Sequence, residues 1–196
     1  MKVNIRNIAG NWDKGVALDK HTVRSIPKGS NESGHMQFDT IRSEVGEALY
    51  QLKYRGDWDQ VEPLAQELAT RLPSLFPNIG LIVPVPATNY RPKQPVLEIA
   101  TALAKKLGVP SFDNIVQKEP AADSAPQLKN LTTKAEKEAA LTDRFSINDE
   151  ITSRGRWNVL VLDDLFDTGA SLEAVCAVLR GYRKIRKIYV ATLTWK

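Results

Sequence analysis

Four consecutive apolar residues, Val159-Leu160-Val161-Leu162, run straight into Asp163-Asp164. Leu165-Phe166 and the small polar turn Asp167-Thr168-Gly169-Ala170-Ser171 follow, and a helical pattern starts there. An unbroken apolar run of this length reads as a buried parallel strand, which needs a covering layer on each face. Such a strand delivers its last residues to the carboxyl edge of a sheet, where open α/β sheets bind their ligands. This one stretch therefore predicts a layered α/β chain with two carboxylates at a ligand-binding edge.

The rest of the chain agrees with that reading. Ile79-Gly80-Leu81-Ile82-Val83-Pro84-Val85-Pro86 is a short buried strand stopped by prolines. Val96, Ile99, Ala100, Leu103, Ala104 and Leu107 recur at helical spacing up to Gly108. Strands are predicted at 112–116, 157–162 and 187–193, and helices at 131–141 and 170–179. From Ile79 onward strand and helix alternate, which predicts a doubly wound, mainly parallel sheet of about five strands with helices on both faces. Upstream, a helix capped by Asp39 or Thr40 is expected to carry Ile41, Val45, Ala48, Leu49 and Leu52. A second spans about 58–72, with Pro63 in its first turn and Pro73 and Pro77 ending it. Residues 1–40 are rich in Gly, Asn, Ser and Lys and read as one or two short strands in a small hood or edge subdomain, with 41–196 as the main domain.

Composition narrows the class. A chain of 196 residues can bury roughly 70% of its unfolded surface and needs no covalent staple. Cys176 is the only cysteine. That excludes an internal disulfide framework and a Cys-rich zinc site, and its apolar helical setting makes it a core residue. No apolar run is long enough for a membrane span, and Met1-Lys2-Val3-Asn4-Ile5-Arg6 lacks the apolar core of a signal peptide. A reducing cytoplasm and no membrane partner are expected. Lys+Arg 27 against Asp+Glu 23 gives a net charge of +4, which suits an enzyme of anionic phosphates or a weak nucleic-acid contact. The densest basic cluster, Arg180-Gly181-Tyr182-Arg183-Lys184-Ile185-Arg186-Lys187, reads as cations opposing the negative end of a helix, or as a nucleic-acid patch. His21 and His35 make too poor a set for a metal site, and Trp12, Trp58, Trp157 and Trp195 read as packing residues.

Adjacent carboxylates accept hydrogen bonds from neighbouring hydroxyls, directly or through Mg²⁺ and water, and hard oxygens suit Mg²⁺. The turn beyond them offers backbone N–H groups, a glycine for close approach, two hydroxyls and a helix N-terminus, all suited to a phosphate. A diol beside a phosphate describes a sugar phosphate. The alternative is a capped helix after a core strand, with Asp167 or Thr168 as the cap. That alternative leaves the preceding acid pair unexplained.

These residues resemble the type I phosphoribosyltransferases, whose signature for phosphoribosyl pyrophosphate (PRPP) has the order apolar strand, two acids, three residues, Thr-Gly, small residue, Ser or Thr. The order of Leu52-Lys53-Tyr54-Arg55-Gly56-Asp57, Val83-Pro84-Val85-Pro86, Pro126-Gln127-Leu128, Phe145 and the acid motif is similar to the ComF-like branch, over about residues 41–194. The resemblance implies a Mg²⁺-dependent transfer of the 5-phosphoribosyl group from PRPP to a nitrogen acceptor, with release of pyrophosphate. It implies that Asp163 and Asp164 hold the ribose and Mg²⁺, and that Asp167, Thr168, Gly169, Ala170 and Ser171 hold the 5-phosphate. Asp167 resembles the 6-oxopurine branch, where that acid helps handle a proton on the acceptor; capping is the other reading. Val85, Pro86, Ala87, Arg91 and Lys93 would hold pyrophosphate, with Val85 and Ala87 presenting N–H groups. Residues 117–132 correspond to a lid carrying Lys118, Gln127 and Lys129. A homodimer is among the family's assemblies.

The chain departs from the ComF-like pattern in three places. It has no cysteines for the usual zinc module. Lys93-Gln94-Pro95-Val96 stands where an Arg-Gly-Phe-Asn run is common, and Lys137 and Ala140 where an Arg and an Asn are. These departures leave a second reading: a non-catalytic PRPP or nucleotide sensor, or an accessory protein of competence and DNA uptake.

Overall fold

A computed structural model describes residues 1–30, 33–87, 91–119 and 130–196. The chain opens with β1 (Arg6–Asn7), β2 (Lys14–Lys20), β3 (Thr22–Ser30) and β4 (Met36–Arg42). Helix α1 (Glu44–Tyr50) passes into a π-helical turn, Gln51–Arg55, and a 3₁₀ turn, Trp58–Gln60, leads into α2 (Val61–Leu75). Then come β5 (Leu81–Pro84), α3 (Pro95–Leu107), β6 (Val116–Lys118), α4 (Lys134–Leu141) and β7 (Phe145–Ile147). The chain ends with β8 (Trp157–Phe166), α5 (Ala170–Gly181) and β9 (Ile185–Trp195).

Five strands form one sheet in the order β1-β2-β9-β8-β5. The pairs β2–β9, β9–β8 and β8–β5 are parallel, and only β1 runs antiparallel, at an edge. The expected α/β class with a mainly parallel sheet is therefore what forms. Side-chain alternation divides the core in two. Val159 and Val161 of β8 join Leu81, Val83, Ile188 and Val190 beneath α5. Leu160 and Leu162 join Ile82, Tyr189, Ala191 and Leu193 beneath α1, α2 and α3. The four consecutive residues Val159 to Leu162 of β8 are all fully buried. Each contributes about 1.5–3 kcal/mol by leaving water, which holds β8 inside the sheet, between β9 and β5.

Several boundaries differ from those the sequence predicts. The helix after the N-terminal segment starts later, because β4 runs through Arg42 and Ser43 supplies the cap, its side chain accepting from the Gly46 N–H. Pro73 does not end α2, which continues to Leu75; the missing Pro73 N–H removes one bond of the helix, and the Phe76 N–H still donates to the Leu72 carbonyl at 2.8 Å. Residues 112–116 do not form a core strand. Ser111 makes a single parallel bridge to Ile82, and Val116 begins the small antiparallel pair β6–β7 instead.

The first forty residues serve two structures. β2 lies inside the main sheet, beside β9, with Ala17 and Leu18 fully buried. β3 and β4 form a separate hairpin, on which Val23, Met36, Phe38 and Ile41 are more than half exposed. The sequence pattern missed this split because β2 is paired by a strand more than 160 residues away. Cys176 is buried, and burial pushes its thiol up to about 12, as its core role requires. The basic cluster is mostly spent on structural bonds. Arg180 bonds Asp13 and the Asn11 carbonyl, Arg183 bonds Asp149, and Lys184 bonds the Ser153 carbonyl. No helix among the described residues is long and apolar enough to cross a membrane.

Candidate functional site

A cavity of about 740 Å³ opens at the carboxyl ends of β5 and β8. Its walls come from several parts of the chain: Pro84, Val85, Pro86 and Ala87 after β5; Asp163, Asp164 and Ser171 around the end of β8; Lys53 from the π-helical turn; and Asp113, Lys118, Glu119 and Arg144. Arg91, Gln94, Pro95, Val96 and Leu97 complete it. A volume of this size holds a molecule of ordinary metabolite dimensions.

The acid pair is the electrostatic centre. Asp163 and Asp164 are partly buried at the point where β8 has run past β5 and stays paired only with β9. The Asp164 N–H donates to Asp163 Oδ1 at 2.8 Å. Burial, then the neighbouring Asp164 charge, pushes the Asp163 carboxyl up to about 7. Lys53 forms an ion pair with Asp164 Oδ2. Burial opposes the Lys53 charge, but Asp164 more than offsets it and holds the ammonium above its usual range. Across the cavity, burial and Arg144 pull Lys118 down to about 8, while Asp163 acts in the opposite sense.

The turn after β8 is left ready for an anion. Gly169 has φ +82 and is the N-cap of α5, with no side-chain bond closing that end. A Cβ there would stand 3.0 Å from the Phe166 ring, so both conformation and space call for glycine. Neither Asp167 nor Thr168 is the cap; Thr168 Oγ1 reaches only the Ala170 N–H, at 3.5 Å. Uncapped N–H groups at a helix start attract negative charge. Asp167 points to cations instead: Lys137 Nζ at 2.6 Å and Lys196 Nζ at 3.9 Å. The Lys137 bond holds its carboxyl below the usual range, and an acid so stabilised is a weak proton acceptor.

The expected pyrophosphate residues separate. Pro86, Ala87 and Arg91 line the cavity, and Arg91 also donates to the Lys53 carbonyl at 3.4 Å. Val85 lines it too, but its N–H does not face a ligand. It donates to the Leu162 carbonyl at 2.9 Å, continuing the β5–β8 ladder. Lys93 is absent from the lining, and its ammonium lies 4.5 Å from the centre of the Trp58 ring. Ser171 reaches the cavity, whereas Asp167, Thr168, Gly169 and Ala170 sit beside it. Lys118 is in the wall; Gln127 and Lys129 lie outside the described residues.

Asp113, Glu119 and Arg144 join the cavity without a sequence signal of their own, and Lys53 comes from the Leu52–Asp57 stretch, whose place in the resemblance assigned it no role. For Lys53 a hint existed. It follows buried Leu52 in a helical run that ends at Gly56, which has φ +69. The π-helical turn there re-aims the side chains, and such turns are frequent at functional sites.

The donor set fits a resident Mg²⁺ poorly. Asp164 is already joined to an ammonium, burial opposes charge on Asp163, and among the described residues no group of three His, Cys, Asp or Glu side chains converges.

No protein-family model matches the chain, and no curated protein matches it at a significant level. Solved structures with similar chain traces include an adenine phosphoribosyltransferase, 19% identical, covering 86% of this chain and 85% of that one, with TM-score 0.47. The adenine phosphoribosyltransferase of Thermoanaerobacter pseudethanolicus is 18% identical, covering 89% and 95%, with TM-score 0.47. The purine phosphoribosyltransferase of Pyrococcus horikoshii is 21% identical, covering 70% and 74%, with TM-score 0.44. At this level the likeness concerns the fold and assigns no residue a role.

Proposed function

We propose that the chain is a phosphoribosyltransferase of the ComF-like kind, which binds PRPP and transfers its 5-phosphoribosyl group to a nitrogen acceptor. One observation carries the reading. Paired carboxylates and an uncapped, glycine-gated helix start lie side by side at the carboxyl end of one strand, on the rim of a metabolite-sized cavity. A ribose diol would bond Asp163 and Asp164, and the 5-phosphate would sit on residues 167–171. The pyrophosphate would lie toward Ala87, Arg91 and Lys118.

In the transfer, the acceptor nitrogen bonds to the anomeric carbon, the bond from that carbon to pyrophosphate breaks, and the nitrogen's proton passes to solvent. The protein's share is orientation and charge: the acids fix the ring, and Arg91 and Lys118 meet the negative charge gathering on pyrophosphate. Lys118, with its lowered pKa, is a cation only while the medium stays below about 8. Asp167, held ionised by Lys137, shapes the phosphate turn rather than taking a proton. Mg²⁺ enters this reading as the companion of pyrophosphate, arriving with the substrate. A cytoplasmic setting and a homodimer belong to the same reading.

The test is direct. PRPP is offered with a panel of nucleobases and ammonia, and pyrophosphate release is measured. Release that depends on one acceptor, and is lost in Asp163→Asn, is expected. Failure of PRPP to bind in calorimetry sinks the reading. Binding without release under every acceptor supports the second reading, a PRPP or nucleotide sensor. That reading is favoured by the loss of two pyrophosphate-side donors, the Val85 N–H to the sheet and Lys93 to Trp58.

A further inference from the structure

We infer that Lys53 is the built-in cation of the acid pair, holding the place on Asp164 that a divalent metal would take, so that the ribose end of a ligand docks here without Mg²⁺. The inference rests on the phosphoribosyl reading and goes beyond it to the ion chemistry of the site.

Three observations carry it. Lys53 and Asp164 are joined across 111 residues of sequence, with side chains only 25% and 16% exposed, and both line the cavity. An ion pair this sheltered is weakly screened. Lys53 is also aimed by the backbone. Buried Leu52 anchors the π-helical turn on one side, Gly56 closes it, and Arg91 bonds the Lys53 carbonyl. The ammonium is thus held where the acids need a counter-charge. Finally, the pairing leaves oxygens for a diol. The ammonium engages Oδ2 of Asp164, and the Asp164 N–H engages Oδ1 of Asp163. The other oxygen of each carboxylate suits one of two adjacent hydroxyls. A divalent ion entering the same pair would meet a positive charge already in contact with Asp164 and would have to displace it.

Ribose 5-phosphate is the discriminating probe. It carries the diol and the 5-phosphate without pyrophosphate, so a Mg²⁺ effect larger than that seen on binding of inorganic phosphate arises at the acids. It is titrated by calorimetry into the wild type, Lys53→Met and Lys53→Arg, in EDTA and in excess Mg²⁺, with PRPP and inorganic phosphate titrated in parallel. The wild-type affinity for ribose 5-phosphate should agree within about twofold between the two conditions. Lys53→Met should lose about tenfold in EDTA and recover with Mg²⁺, while Lys53→Arg should stay within about threefold of wild type. Tightening of the wild type by about tenfold on adding Mg²⁺ overturns the inference, as does a Lys53→Met protein that binds normally in EDTA. A second readout needs no variant. Mn²⁺ titrated into ligand-free wild type and followed by its electron spin resonance signal should stay free, and uptake of one ion per chain refutes the idea. If PRPP binds only with Mg²⁺ while ribose 5-phosphate binds without it, the inference stands and the metal belongs to pyrophosphate. If neither ligand binds under any condition, the phosphoribosyl reading itself has failed, and this inference with it.

Discussion

Replacing Asp163 by Asn should make the ligand-free protein more stable at pH 8 while destroying its site. Asp163 titrates near 3.8 in an unfolded chain and about 7 in the folded one. Between those values the folded chain keeps a proton that the unfolded chain has lost, so stability falls as the pH rises through that window. The contribution is whole below about 3.8 and gone above about 7. At about 1.4 kcal/mol per pH unit, the loss across the window is of order 4 kcal/mol. Asn is neutral throughout and still offers an amide oxygen to the Asp164 N–H, so the variant does not suffer that fall. Urea unfolding at pH 5 and pH 8 measures it. The variant should gain about 1–2 kcal/mol at pH 5 and about 3–4 kcal/mol at pH 8, the latter about 6–15 °C in melting temperature for a chain of this length. Ribose 5-phosphate binding should vanish at both. Equal gains at the two pH values, or a variant less stable than wild type at pH 8, would refute the claim that Asp163 is a burdened carboxylate kept for its ligand.

Three other outcomes follow from the same geometry. PRPP affinity should fall as the pH passes about 8, where Lys118 loses its proton, and Lys118→Arg should remove that fall, as calorimetry from about one pH unit below the transition to about one above it would register. Gly169→Ala forces a side chain into a left-handed conformation against Phe166; it should cost about 1–2 kcal/mol in urea unfolding and weaken binding of inorganic phosphate, and an unchanged phosphate affinity would remove the turn from the site. Leu160→Ala empties a fully buried place beneath the helices and should cost about 2–5 kcal/mol of stability, with phosphate binding intact in the protein that remains folded.

The sequence alone settled the centre of this molecule. Val159 to Leu162, β-branched in part and bounded by the acids and a glycine turn, read as a strand covered on both faces, which places those acids and that turn at the sheet's ligand-binding edge. These are local, periodic signals, and short-range sterics and burial enforce them. The Val83-Pro84-Val85-Pro86 stop was legible for the same reason. Tertiary structure alone decided which groups face one another. Val85 gave its N–H to Leu162 because β5 and β8 are parallel neighbours in that register. Lys93 turned to Trp58, β2 joined β9 from the far end of the chain, and Lys53 met Asp164. Partners so distant in sequence leave no period or spacing to read; a lysine's charge and reach are the same wherever it stands, and only the packed backbone selects the carboxylate it meets.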